Sequence, residues 1–145
     1  GNRGVANVNQ VLWHELGHFY THLICERFEI EKFFLDEKEV VKEDKPKNLG
    51  RMVLAEGIAR YFEKKTLGIN ETDFKEAYWP KDSFSDQIDP YRVYEGGYSL
   101  VKDIIDEYGI DQSIEYFVKN PLVLNNPRID IPKYKLKAFQ DLRKN

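Results

Sequence analysis

The segment Val11-Leu12-Trp13-His14-Glu15-Leu16-Gly17-His18-Phe19-Tyr20 restricts the chain more than any other. It holds H-E-x-x-H within a run of helical periodicity. On an α-helix, residues four apart are neighbours on one face, with Cβ atoms about 5–6 Å apart. His14 and His18 can therefore aim two imidazoles at one ion, at about 2.0–2.1 Å each if the ion is zinc. Glu15 is rotated away from that pair. It is expected to act on the attacking water as a general base and not to bind the ion. The plain alternative is two core histidines and a surface glutamate.

Two histidines do not hold a catalytic zinc, which takes three protein ligands and leaves one position open. His22 continues the stripe, but on a straight helix it lies about 12 Å from His14. It is expected to pack or to support a ligand. Cys25 reads as a small buried residue. Glu56, in Leu54-Ala55-Glu56-Gly57-Ile58-Ala59-Arg60-Tyr61-Phe62-Glu63, lies among the apolar positions of a second helical run. A carboxylate there is costly unless it is paired or bound to a metal. A third run carries Tyr91, Tyr94 and Tyr98 on one face, and periodicity does not choose among them.

H-E-L-G-H followed by A-E-G-I-A-R-Y-F-E resembles the gluzincin metallopeptidases, and especially their aminopeptidase N-like branch. The resemblance implies that Glu56 is the third zinc ligand and that Glu63 supports the site from an outer position. Tyr94-Glu95-Gly96-Gly97 is similar to the Y-E-K-G segment of that branch, which implies that Tyr94 stabilises the oxyanion. The resemblance covers about residues 8–120. His18 and Glu56 are further apart than in that branch, so 29–47 reads as an insertion. The G-x-M-E-N segment that reads a free amino terminus is absent, so an endopeptidase is expected before an aminopeptidase. The sheet that usually precedes the H-E-x-x-H helix has no room in the first ten residues.

The expected fold is mainly α: a zincin-like helical catalytic subdomain of four to five helices in one domain over 1–145, with at most a small β-hairpin near 30–41. Asn7 or Asn9 is the expected cap of a helix to about Phe28, with Val8, Val11, Leu12, Phe19, Leu23 and Ile24 as its apolar positions. A second helix spans 48–67, with Asn48 as cap. A third runs from about Tyr91 to Tyr108, burying Leu100, Val101, Ile104 and Ile105. Asp111 is the expected cap of a short helix over Gln112 to Lys119, and a last helix covers roughly Lys133 to Arg143. Residues 29–47 fit either alternation or a broken helix. Residues 69–90 read as a loop with a helical turn near Phe74–Tyr78. Gly17 inside the first helix costs roughly 1 kcal/mol relative to Ala, which implies a close neighbour. The paired glycines Gly96 and Gly97 imply the same of the third helix.

Composition narrows the function classes. Apolar residues make up 41% and aromatics 14%, a globular balance. The net charge of -3 gives no basic stripe for nucleic acid and no membrane-binding face. One cysteine excludes an intrachain disulfide and weakly favours a reducing compartment. The chain begins at Gly1 and not Met, which fits a processing boundary with sequence upstream, and the absent sheet leaves room for a companion N-terminal domain. The implied substrate is a peptide or protein, and the implied cofactor is Zn²⁺. A catalytically silent, partner-binding module is the alternative. A di-iron bundle would need a second Glu-x-x-His on another helix, and no histidine remains for it.

Overall fold

The computed structural model describes residues 3–30, 33, 44–67 and 90–144, and the side chains of 8–30, 33, 44–65 and 96–144. Five helices follow in order: α1 (Arg3–Arg27), α2 (Lys45–Leu67), α3 (Pro90–Tyr108), α4 (Ile110–Lys119) and α5 (Pro127–Arg143). The chain is mainly α, with no strand among the described residues. The possible hairpin near 30–41, most of the 29–47 insertion and the turn near Phe74–Tyr78 lie outside them. No helix among the described residues is long and apolar enough to cross a membrane.

The second helix is the centre of the packing, with α1 on one side and α3 on the other. Every residue from Met52 to Ala59 is buried. A helix enclosed on all sides needs apolar or small residues around its whole circumference. Met52-Val53-Leu54-Ala55 and Gly57-Ile58-Ala59 supply them, and Glu56 is the one charged residue in the run. At the α2–α3 crossing, a methyl on Gly57 would overlap the carbonyl of Gly97, and one on Gly97 would overlap that of Val53. The glycine pairing lets two backbones touch. On the opposite side, a Cβ on Gly17 of α1 would lie 2.8 Å from Ala59 Cα. The close neighbours expected of Gly17 and Gly97 are therefore backbone atoms of α2.

The outward face of α1 corrects the sequence reading. Val8 (58%), Val11 (58%), Leu12 (60%), Phe19 (57%) and Leu23 (43%) are exposed; of the six expected apolar contacts only Ile24 is buried. The face turned to α2 carries Gly17, Thr21, Ile24 and Cys25, with His14 and His18 half-buried at its edge. Small and polar residues allow the closer approach. Thr21 enters at little cost because its Oγ1 donates to the Gly17 carbonyl at 2.9 Å.

Helix ends also differ from expectation. The first helix begins at Arg3, ahead of both Asn7 and Asn9, and α2 begins at Lys45, ahead of Asn48. There Asn48 N–H donates to the Asp44 carbonyl. Gly109, at φ 86°, precedes α4, so the turn out of α3 uses a conformation that favours glycine. Asp111 falls in the first turn and is not the cap. The last helix begins six residues early, at Pro127. Asn126 caps it by accepting from Arg128 N–H, and Asp130 accepts from the N–H groups of Asn125 and Asn126. Pro127 occupies the first helical position, where an absent N–H costs nothing.

Candidate metal centre

Each donor is presented by a rigid element. His14 and His18 stand one turn apart on α1, and Glu56 comes from the buried middle of α2. Gly17 against Ala59 fixes how closely the two helices approach. The side chains converge: His14 Nε2 is 3.1 Å from Glu56 Oε2, His18 Nε2 is 3.0 Å from Glu56 Oε1, and the two Nε2 atoms are 3.1 Å apart. Among the described residues these three form a group able to hold one metal ion.

The donor set suits a tetrahedral ion. Ligand atoms about 2.0–2.1 Å from such an ion stand about 3.3 Å from one another. Separations of 3.0–3.1 Å need to open by only a few tenths of an ångström. Tautomer chemistry points the same way. His14 Nδ1–H donates to Glu63 Oε2 at 2.9 Å, so that once the imidazole is neutral its Nε2 lone pair faces the other donors. Glu56 Oε2 is buried and completes no hydrogen bond, although His14 Nε2 is near it. A cation at the centre would satisfy lone pairs that otherwise compete for one proton.

Glu63 acts on the site through His14. It is buried, takes the Nδ1–H bond, and is itself held by Arg60 at 3.2 Å. An acceptor on the far side of a ligating imidazole fixes its orientation and raises its basicity. Arg60 escaped the sequence reading. Its signal was the i,i+3 spacing to Glu63, which puts the two on one helix face.

The electrostatics favour positive charge at the centre. Burial pulls the His14 pKa down, but Glu56 and Glu63 together raise it to about 9. Burial pushes Glu56 upward, yet the two imidazoles hold it at about 2. Burial also opposes ionisation of Glu63, and His14 and Arg60 outweigh it. Two carboxylates thus attract either a proton on His14 or a metal ion in its place.

The other candidates separate cleanly. Glu15 is exposed, on the outward face of α1 beside Leu12, Leu16 and Phe19, and is not one of the converging donors. Tyr94 belongs to α3, but its side chain lies outside the described residues. Tyr98 belongs to the core. Its ring is 6.4 Å from that of Tyr61, with Lys64 Nζ 4.6 Å from its centroid. His22 neither packs nor supports a ligand, contrary to expectation. It is exposed and pairs with Glu26 at 3.0 Å, because the stripe it continues rotates out of the α1–α2 contact. Cys25 is buried, as its reading required, and burial pushes its thiol pKa up. Comparison with protein-family models, with curated proteins and with solved structures finds no match to the chain.

Proposed function

We propose that the chain is a zinc-dependent metallopeptidase that hydrolyses internal peptide bonds. The observation that carries this reading is the meeting of His14, His18 and Glu56 within 3.0–3.1 Å of one another, from two helices locked by a backbone contact. The gluzincin resemblance of the same residues supplies the reaction class. Zinc held by these donors would supply Lewis acidity, bringing the pKa of water toward neutrality. The H-E-x-x-H pattern assigns Glu15, adjacent to His14 in sequence and exposed, to the role of general base toward the attacking water. Glu63 keeps the His14 Nε2 lone pair aimed inward. Tyr94 is assigned to the developing oxyanion by the resemblance alone.

Metal content combined with the Glu15→Gln variant tests this. Glu15→Gln should keep one zinc per chain and lose hydrolysis of an unstructured protein by about 100-fold or more. Cleavage at the wild-type rate would remove Glu15 from the chemistry.

A second reading has its own support. Val8, Val11, Leu12, Leu16, Phe19 and Leu23 are exposed on one side of α1, around Glu15. Faces of this kind mark contact with a partner. A metal-bearing but catalytically silent binding module would account for it. Bound zinc without turnover of any peptide favours this second reading.

A further inference from the structure

The last helix, α5, carries a charge opposite to that of the chain as a whole. Residues 127–144 hold six lysines and arginines and two carboxylates, in a chain of net charge -3. Both carboxylates already have partners. Asp130 accepts from the N–H groups of Asn125 and Asn126. Asp141 accepts from the Tyr116 hydroxyl at 2.7 Å and pairs with Lys137 at 3.3 Å. Lys135 is turned to Asp103 of α3 at 2.7 Å. The exposed residues of α5 and its cap Lys144 include no acidic side chain.

Those exposed residues sort into two strips. At about 3.6 residues per turn, Ile129, Pro132 and Leu136 fall within an arc of about 60°, and Lys133, Lys137 and Lys144 fall within about 40° beside it. Ile129 (61%) and Leu136 (62%) are the most exposed large apolar side chains among the described residues. They stand two turns apart, the spacing of anchors in a helix–helix seam. Such seams set charged residues beside the apolar strip, and the sign of that charge selects the partner. Here it is positive, so the fitting occupant carries carboxylates. A lipid surface is a poorer match, because the strip has only two large side chains and no aromatic anchor. We propose that this face of α5 docks an amphipathic helix of a partner protein, whose apolar residues lie against Ile129 and Leu136 and whose Asp or Glu residues meet Lys133, Lys137 and Lys144. Docking there needs neither metal nor peptidase activity.

Fluorescence anisotropy on the full chain tests this with a stapled helical peptide that bears Leu along one strip and Glu beside it. A twin peptide has Gln in place of every Glu. The Glu peptide should bind at least about tenfold more tightly than its twin at low salt, and the advantage should shrink as salt is raised. Lys133→Gln/Lys137→Gln should weaken binding of the Glu peptide by about tenfold or more, and Leu136→Ser by about fivefold or more. Circular dichroism should find both variants as helical as the wild type, since all three side chains are exposed. Equal affinity for the two peptides, or variants that bind like the wild type, would overturn the proposal. Vesicles of phosphatidylcholine with and without phosphatidylserine form a second arm. Partition onto the phosphatidylserine vesicles that the variants lose, with no preference for the Glu peptide, would also overturn it and assign the face to an anionic membrane.

Discussion

Gly17→Ala separates helix propensity from site geometry, because the two push in opposite directions. Alanine in place of glycine in a helix interior gains about 1 kcal/mol from propensity. The added Cβ, however, would stand 2.8 Å from Ala59 Cα and 3.3 Å from the Phe62 ring. Carbon atoms in contact prefer about 3.5–4.0 Å. Ala59 Cα is backbone and cannot swing aside, so α1 must move off α2 by about 0.7 Å or more. Overpacking of this kind costs about 1–3 kcal/mol. It should cancel or slightly exceed the propensity gain and leave global stability near the wild-type value or up to about 2 kcal/mol below it. The metal centre is less forgiving. Gly17 lies between His14 and His18, so the same shift carries both imidazoles away from Glu56. Metal–ligand distances tolerate only about 0.2 Å, and zinc affinity should fall by at least about tenfold. Urea denaturation of the metal-free chain and competition with a chromophoric chelator measure the two quantities. A variant that is about 1 kcal/mol more stable and binds zinc with unchanged affinity would refute the argument. It would mean that the Gly17–Ala59 contact does not set the donor distances.

Further expectations follow from the groups around the donors. Glu63→Gln, nearly isosteric, weakens the acceptor on His14 Nδ1–H and should lower zinc affinity by about 10–100-fold with helix content retained. The same chelator competition, with circular dichroism as control, reads it. The metal-free chain should be most stable between about pH 4.5 and 6.5. His14, raised to about 9, contributes fully below its unfolded value of 6.5, and that contribution disappears as pH rises through 9. Glu56, held at about 2, contributes above 4.5 and ceases to as pH falls through 2. Zinc affinity should run the opposite way on the alkaline side, rising until His14 has lost its proton near pH 9, since proton and metal compete for Nε2. Denaturation across pH 2–10 and zinc titration across pH 5–10 check these slopes.

The donors were legible in the sequence because their chemistry is local. Two histidines four positions apart have a fixed geometry on any helix, and a carboxylate amid apolar neighbours announces a buried charge in need of a partner. The enclosure of α2 was partly legible too, in the apolar and small residues around Glu56. The orientation of α1 was not. Its large apolar residues recur at helical spacing, and burial is the usual fate of such a stripe. Here the closest approach is at Gly17, where even an added Cβ would stand 2.8 Å from Ala59 Cα, and the buried neighbours are the small Thr21 and Cys25. Periodicity reports which residues share a face but not which face a neighbour takes. The last helix starts at Pro127 and not at Lys133, because proline suits a helix's first position. Pro127 sits at the one helical position that needs no N–H, and Asn126 and Asp130 supply the cap. Arg60 was missed because its role runs through Glu63 to His14, a relation that needs the fold to bring α1 beside α2.

Zinc titration of the wild-type chain against Glu56→Gln tests the convergence of donors most directly. The substitution keeps size and removes the charged ligand. The account predicts one tightly held zinc per wild-type chain and an affinity at least about 100-fold lower in Glu56→Gln, with both proteins equally helical. Equal zinc binding by the two proteins, or no stoichiometric zinc in either, would contradict it.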